Sequence, residues 1–428
     1  MELSTVGKND KVNKMPRKFV LKTVKRNIMK SKAKSALSIL ISTLVVLLIN
    51  LYIGNISSTQ NQLTKLANTL TVNADVTNLN GSQITALRIK DETIRKLESS
   101  SHVKELKYSV ELIGGLGAFE LDDWRNHLKI RLTAVNDLSA LPGMAVEDAA
   151  FINGVDADIL HTSQAACLTT KDFSRKNNLT IGNTLQLTLY YYEYPSLGTG
   201  KLKINPLGLY DFTIVGIVEQ INGSGIDALL PDIILPINWV RNAYAQEGVE
   251  FYPTKASFAV ADPLMLNQFK SEVKSFMLLS VIPETDFSHN GSALSIDDKI
   301  FIQAANHLKG NLNLLSIFLP FVVVIVVFIG YITSYMLMQN RRKEFAVMRS
   351  LGTSKGLCYL IFIFENVALA LTGSLFGSLI AMLLIADASA VVLISSACVF
   401  FVCFLLGTTV ALYLLGRFSV MDVLSQID

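Results

Sequence analysis

The sequence is poor in the residues that build disulfide frameworks, metal centres and catalytic sites. It has four cysteines, and only Cys167 lies outside the long apolar runs, which excludes an intramolecular disulfide framework in the polar part. The five histidines lack metal-ligand spacing, and we interpret the closest group, Asp156, Asp158 and His161, as a solvated loop. We therefore expect no metal ion and no catalytic residue in this chain.

A phosphate-binding loop is missing as well. The nearest match is GTGK at 198–201, but Pro195 stands where the motif needs a glycine and Leu202 where it needs Ser or Thr. We interpret this stretch as a turn. The expectation is a chain that is not an enzyme, holds no nucleotide cofactor of its own and has no nucleic-acid partner.

Charged residues are scarce, at 17% against the usual quarter, while 50% of the 428 residues are hydrophobic. The apolar residues are concentrated in four runs, and each run is long enough to cross a hydrocarbon core of about 30 Å. The runs occupy about 36–53, 314–337, 357–386 and 388–415. The sequence therefore predicts an α-helical membrane protein with four transmembrane helices.

Positive charge is unevenly distributed and predicts the orientation of these helices. Residues 1–34 contain eleven Lys and Arg against two acidic residues, a net charge of +9, so the remainder carries 3 − 9 = −6. The positive-inside rule then places both termini in the cytoplasm, because the hairpin around Asp387 has no Lys or Arg. The first apolar run is longer than the core of a typical signal peptide, so we expect a span there.

The polar segments complete the predicted organisation, and apolar stripes extend the first two spans outward as helical stalks. In chain order we predict a disordered basic tail at 1–16, an interfacial amphipathic helix at 17–35, transmembrane helix 1 at 36–54, a stalk at 55–70, a large mixed α/β extracytoplasmic domain at 71–295, a second stalk at 296–311, transmembrane helix 2 at 312–338, a cytoplasmic helix at 339–356, transmembrane helix 3 at 357–386, transmembrane helix 4 at 388–415 and a cytoplasmic tail at 416–428.

Within the outer domain, the alternating apolar residues of 71–79 predict a strand, and Asp91 is expected to cap the helix that follows. A β-rich part covers about 150–240. Further strands are predicted at 107–112, 129–135, 185–192, 212–218, 232–235 and 257–260. A helix is predicted at 264–278, with its start at Asp262 and Pro263. This domain is large enough to have a core of its own.

The segment 341–356, RRKEFAVMRSLGTSKG, is short, basic and amphipathic. Its residues Phe345, Met348 and Leu351 fall roughly on one helical face. The residues alone allow two interpretations. The segment is either a charge cluster that only fixes the topology, or a helix that docks a cytoplasmic partner.

Three residues of the third apolar run are expected to pack inside the bundle. Glu365 is a carboxylate within a span, which is costly and tends to face a bundle interior. It serves either as a polar link between helices or as a coupling contact near the inner leaflet. Gly373 and Gly377 form a GxxxG pair, which allows helices to approach closely.

The residues 341–354, RRKEFAVMRSLGTS, resemble the signature of FtsX-like permeases, the membrane subunits of MacB-type (type VII) ABC transporters. The resemblance continues through Glu365 and the GxxxG pair, and the outer domain is similar to the family's MacB-like periplasmic core. It covers nearly the whole chain and is strongest at 312–386. Two departures are Asn183, where the family usually has Asp, and the missing proline of the family's C-terminal ending.

The resemblance implies a permease subunit that works by mechanotransmission. A separate ABC ATPase would bind ATP and Mg and contact nine residues of this chain: Arg341, Arg342, Lys343, Glu344, Phe345, Met348, Arg349, Leu351 and Gly352. The family further implies a homodimer, or a dimer with a similar permease, in the inner (cytoplasmic) membrane, in contact with lipid and an adaptor or outer partner protein.

Two functions follow from this resemblance. The first is export or extraction of a peptide, lipoprotein or amphiphilic drug. The alternative is a non-transporting signalling or activating complex that senses antimicrobial peptides or switches a cell-wall hydrolase.

Overall fold

The computed structural model describes residues 17–118, 130–193, 203–219, 231–339, 342–384 and 390–415. The chain divides into two compact units, Met1–Lys65 with Ala304–Asp428, and Leu66–Gln303. The predicted tails at 1–16 and 416–428, the hairpin around Asp387 and the turn at 198–201 lie outside the described residues.

The described residues form ten α-helices. They are α1 (Arg17–Lys30), α2 (Lys32–Thr69), α3 (Asp91–Ser99), α4 (Lys171–Asn177), α5 (Ile237–Gln246), α6 (Leu266–Val273), α7 (Lys299–Gln339), α8 (Arg342–Ser350), α9 (Lys355–Leu384) and α10 (Ala390–Leu415). Helices α2, α7, α9 and α10 are long and apolar enough to cross a membrane. The chain is therefore a multi-pass membrane protein, as the four apolar runs predict.

Helices α2 and α7 are longer than a bilayer requires. They contain 38 and 41 residues, or about 57 and 62 Å at 1.5 Å per residue, roughly twice the thickness of a hydrocarbon core. Pro320 lies inside α7. The lengths are those that the stalk hypothesis needs, and the arrangement of the stalks around the outer domain stays a prediction.

The membrane unit has an apolar core with a few polar contacts between its helices. Val46 and Ile49 of α2, Ala370 of α9, and Phe400 and Phe404 of α10 belong to one buried cluster. Hydroxyl groups bridge the same helices: Ser396 donates to Asn50 Oδ1 at 2.5 Å, and Ser334 and Thr408 lie 2.8 Å apart. Buried polar groups in this bundle are thus used for helix packing.

Residues 66–303 form the mixed α/β domain, whose described strands make one eleven-stranded sheet. The strands are β1 (Asn73–Thr77), β2 (Val103–Leu116), β3 (Leu132–Val135), β4 (Ala149–Phe151), β5 (Ala166–Thr170), β6 (Thr184–Glu193), β7 (Lys203–Val218), β8 (Ile233–Pro236), β9 (Lys255–Val260), β10 (Leu279–Ser280) and β11 (Ala293–Ile296). Their order is β10-β11-β1-β9-β2-β3-β8-β5-β7-β4, and β6 pairs with both β2 and β7.

The double pairing of β6 closes a circuit of six strands, β2-β3-β8-β5-β7-β6. Closure occurs where β2 meets β6, with Gly114 opposite Leu189. A Cβ atom at Gly114 would lie 2.6 Å from the carbonyl oxygen of Thr188, so only glycine fits there without displacing the neighbouring strand. Val135, Leu168, Val218 and Ile234 bury a shared core on four of these strands.

Several predicted elements of this domain are confirmed. The strands at 185–192 and 212–218 are β6 and the end of β7, which pair as an antiparallel hairpin. The predicted strands at 71–79 and 257–260 correspond to β1 and β9, and the pattern at 107–112 lies within the longer β2. Alternating apolar residues identify these elements because one face of each strand is buried.

Two predictions in the domain are corrected. Asp91 does not cap α3: Lys90 is the cap residue, without a side-chain cap bond, and Asp91 is the first helical residue. The single helix predicted at 264–278 is interrupted, because α6 is flanked by short 3-10 turns and Met277 adopts the left-handed conformation with φ +64°. Its start is as predicted, with Asp262 accepting a hydrogen bond from Leu264 N.

Candidate coupling site

Helix α8 lies between the long helices α7 and α9 in the chain, and a glycine terminates it. Gly352 has φ +86°, a left-handed conformation that other residues rarely adopt. The amide of Gly352 donates to Arg349 O and the amide of Thr353 donates to Met348 O, both at 3.1 Å. This pair of bonds is a Schellman motif, which ends the helix sharply. Arg349 Nη1 also donates to Thr353 O at 3.2 Å.

One face of α8 is anchored on α9. Ala346 is 1% exposed. The Phe345 ring stacks on the Tyr359 ring, with centroids 5.9 Å apart and planes 17° apart, and lies 6.2 Å from Phe362. Met348 packs in the same cluster. Aromatic stacking and burial fix the orientation of α8 relative to α9.

The opposite face of α8 is apolar and exposed. Leu351 is 80% exposed and Val347 48% exposed. The sequence pattern placed Phe345, Met348 and Leu351 on one face, but only Leu351 points outward. Val347, which the prediction missed, shares the exposed face because it precedes Leu351 by four residues.

An ion pair joins α8 to α1. Lys30 Nζ lies 3.4 Å from Glu344 Oε1, and both side chains are largely solvent-exposed. Helix α1 itself packs on α9, since Val24 and Ile361 are buried together. The start of α2, the end of α7 and the whole of α8 therefore lie at the same end of the helical bundle.

The remaining residues predicted to contact an ATPase fall at the edge of the described structure. Arg341 lies outside the described residues. Arg342 and Lys343 form the first turn of α8, and their side chains are likewise outside the description. The coupling role of all nine residues stays a prediction.

The three residues predicted for helix packing all lie on the buried side of α9. Glu365 is 3% exposed. A Cβ atom at Gly373 would lie 2.5 Å from Ser42 Cβ, and one at Gly377 would lie 2.7 Å from Thr43 O. Thr43 also donates to Gly373 O at 3.1 Å. The two glycines thus bring the backbones of α2 and α9 together.

Two polar features that the sequence analysis examined serve local structure in the outer domain. Asp156 Oδ1 accepts from the amide of Asp158 at 3.1 Å and caps a short 3-10 helix. Asn183 Oδ1 accepts from both the amide and the hydroxyl of Thr180, at 2.8 and 2.9 Å. Asn183 therefore supplies the turn acceptor that an aspartate would supply, so this departure from the family pattern keeps the turn.

A charged cluster in the mixed α/β domain could not be predicted from the sequence. Arg241 Nε lies 2.9 Å from Asp91 Oδ1, and Arg241 Nη2 donates to the Tyr108 hydroxyl at 3.2 Å. Tyr108 donates in turn to Glu98 at 2.6 Å. Burial, followed by the hydrogen bond to Glu98, raises the pKa of Tyr108, so this hydroxyl stays a proton donor. No sequence spacing links residues so far apart in the chain.

The architecture defines a class: a multi-pass membrane protein with an α/β domain inserted between two spans and an exposed amphipathic helix between two others. Residues 316–389 match the family model of the FtsX-like permease C-terminal domain. The matched region includes all of α8 and α9. No curated protein matches the chain.

The family match confirms the resemblance to FtsX-like permeases. The match at 316–389 supports a permease subunit of the ABC-transporter type. Permeases of this family generally partner with an ABC ATPase and are generally not enzymes themselves.

Proposed function

We propose that this chain couples ATP hydrolysis by a separate ATPase subunit to movement of its outer domain, as a MacB-type permease. The observation that carries the proposal is the two-sided packing of α8. One face is fixed on α9 through Phe345 and Ala346, while Leu351 and Val347 are presented outward. An exposed apolar pair on a firmly held helix suits docking into a groove of a partner.

The contacts of α8 support a mechanical role. Helix α8 is joined to α9 by aromatic packing and to α1 by the Lys30–Glu344 ion pair. Two residues separate the end of α7 from the start of α8. Helices α1 and α2 are separated by the single residue Ser31. Displacement of α8 by an ATPase would therefore act on both helices, α2 and α7, that lead into residues 66–303.

The packing of α7 supports a dimer. Only 6% of its most apolar window is buried, compared with 33% for each of the other three spans. Exposed apolar residues such as Ile317, Phe321 and Phe328 leave a long face for lipid or a second permease. The partner is a second copy of this chain or a similar permease, in the cytoplasmic membrane with the α8 end inside.

The polar groups of the bundle favour an apolar or amphiphilic cargo. Hydroxyl groups such as those of Ser334 and Thr408 are buried and hydrogen-bonded to each other between helices. Force transmitted to the outer domain would then export or extract a peptide, lipoprotein or amphiphilic drug. An adaptor or outer partner protein would receive it.

The docking role is tested by placing a charge on the exposed face of α8. We expect Leu351→Asp and Val347→Asp each to lower ATPase co-purification and permease-dependent stimulation of ATP hydrolysis by about tenfold, as expected for a central interface residue worth more than 1 kcal/mol. The matched control is Leu264→Asp, another exposed leucine, which lies in the outer domain.

Wild-type binding and stimulation by both α8 variants, with normal membrane insertion, would rule out docking through this face. Reversing the charges of Glu344 and Arg349 is a less selective test. Glu344 pairs with Lys30 and Arg349 bonds the Thr353 carbonyl, so reversal also disturbs contacts within the chain.

Transport and signalling are separated by reconstitution with the ATPase. Release or export of an amphiphilic substrate from proteoliposomes that depends on ATP supports transport. Activation of a cell-wall hydrolase, or a response to an antimicrobial peptide without substrate movement, supports the signalling alternative. The α8 variants are expected to abolish either output, because both require coupling.

A further inference from the structure

A narrow groove lies between the first turns of α2 and the last turns of α7. Its volume is about 180 Å³, and Leu37, Ile41, Met336 and Leu337 supply its apolar walls. This is smaller than the roughly 300–1,000 Å³ of pockets that hold compact drug-sized molecules. The shape and lining suit part of a hydrocarbon chain.

Polar and basic side chains also line the groove. Lys34 lines it and is exposed, on the second residue after the start of α2. The Ser38 side chain also lines it, is only 2% exposed, and its hydroxyl has no hydrogen-bond partner among the described residues. Thr333 of α7, which is 5% exposed, lines the groove as well. A buried hydroxyl without a partner is costly unless a ligand supplies one.

We infer that this groove binds an acidic phospholipid, with its phosphate at Lys34 and Ser38 and an acyl chain along Leu37 and Ile41. Lys34 is near the start of a membrane-spanning helix and Leu337 near the end of another, which is the depth of a lipid headgroup layer. Lys34 is positively charged, so it complements an anionic headgroup. The inference requires membrane insertion but does not rest on ATPase docking.

The test measures lipid retention by the full-length chain. The purified protein is exposed to equal amounts of phosphatidylglycerol and phosphatidylcholine, and retained lipids are counted by native mass spectrometry. We expect the wild-type chain to retain phosphatidylglycerol preferentially. Lys34→Gln should lower that retention roughly fivefold, the effect of losing one cation at an anionic membrane surface. Lys32→Gln removes the same charge from an exposed lysine that does not line the groove, and should lower retention by no more than about twofold, because salt screens a charge away from the bound headgroup.

A second pair of variants tests the apolar part of the groove. Leu37→Trp should fill it and reduce retention of phosphatidylglycerol, while Leu40→Trp, at an exposed position outside the groove, should not. Millimolar glycerol phosphate should not displace the lipid, because the headgroup alone lacks the acyl chain. Displacement would show that the site takes a free phosphate ester, and would overturn the proposal.

Equal retention by Lys34→Gln, Lys32→Gln and wild type would also overturn it, as would equal retention of the two lipids by wild type. The competing occupant is a second copy of this chain. Efficient disulfide linkage of Leu37→Cys between copies in native membranes would show that a protein fills the groove, and the lipid assignment would be wrong.

Discussion

Two arginines, one buried and one exposed, form ion pairs with the carboxylate of Asp91. Arg241 reaches Asp91 Oδ1 at 2.9 Å with its side chain 15% exposed, whereas Arg95 reaches Asp91 Oδ2 at 2.8 Å with its side chain 66% exposed. Arg241 also lies over the rings of Tyr108 and Phe251, at 5.6 and 5.4 Å. Of these two arginines, the buried Arg241 is the one that contacts several groups at once.

Replacing Arg241 by Met should therefore cost more than replacing Arg95 by Met. Loss of Arg241 leaves Glu98 without its cation and Asp91 with only the exposed Arg95, and we expect about 2–4 kcal/mol of destabilisation. The exposed pair made by Arg95 should be worth about 0.5 kcal/mol or less. Thermal melting of the full chain, followed by the fluorescence of its two tryptophans, measures both.

The corresponding decrease in Tm is about 4–16 °C for Arg241→Met, at roughly 2–4 °C per kcal/mol for a domain of this size. Arg95→Met should shift Tm by no more than about 2 °C. Equal shifts for the two variants would show that the buried cluster adds nothing beyond an ordinary surface ion pair.

Residue-level predictions from the sequence succeed where the partner is near in the chain. The Asp262 cap depends on an amide two residues away and was predicted. Asp91 was predicted to be a cap residue. Its partner in the structure, Arg241, lies 150 positions further along the chain, so no local pattern reveals this ion pair. The packing of Phe345 and Met348 within the chain was missed for a related reason: it depends on Tyr359 and Phe362 in the next helix.

At the scale of elements, the close packing of α2 on α9 depends on glycine. A Cβ atom at Gly377 would lie 2.7 Å from the backbone oxygen of Thr43 and 3.0 Å from Val46 Cβ, so the helices would have to separate. At Gly310, in the helix α7, a Cβ atom meets nothing within 4 Å. The two positions make a matched pair for testing helix contact.

Gly377→Ala should destabilise the membrane unit by about 1–3 kcal/mol through overpacking. Gly310→Ala should leave stability unchanged or raise it by up to about 1 kcal/mol, because alanine favours a helix over glycine. Resistance of the purified protein to unfolding in sodium dodecyl sulfate measures the difference. Two variants of equal stability would show that the α2–α9 contact tolerates a methyl group.

Elements with strong periodicity could be predicted from the sequence, and short buried ones could not. The four spans and the β6–β7 hairpin each have many residues of consistent pattern. Strand β5 is five residues long with every residue buried, so it shows no alternation. Strand β11 has only four residues, and its pairing with β1 joins segments that are over 200 positions apart.

For the molecule as a whole, the order of the elements along the chain could be predicted, but the closure of the six-strand circuit could not. The order of spans, outer domain and α8 follows from hydropathy and charge along the chain. The six-strand circuit closes because β2 pairs with both β3 and β6. These three strands are distant in the sequence, so no local pattern predicts their pairing. The sequence indicated a β-rich part, but the pairing partners come from tertiary packing.

The orientation across the membrane is testable with two single cysteines, Ser101→Cys in the outer domain and Ser350→Cys on α8. Both serines are exposed. A membrane-impermeant maleimide should label position 101 in intact cells, and position 350 only after permeabilisation. The natural outer-domain thiol contributes little background, because burial raises the pKa of Cys167 to about 12 and maleimide reacts with the thiolate.

The unsubstituted chain is the control for the three remaining cysteines, which lie on α9 and α10. Labelling of position 350 in intact cells would place α8 on the side of the membrane that has no ATP. The positive-inside argument and the proposed docking of an ATPase would then both be wrong. Labelling in the expected order puts α8 where an ATPase can reach Val347 and Leu351, and leaves force through the helices as the link to the outer domain.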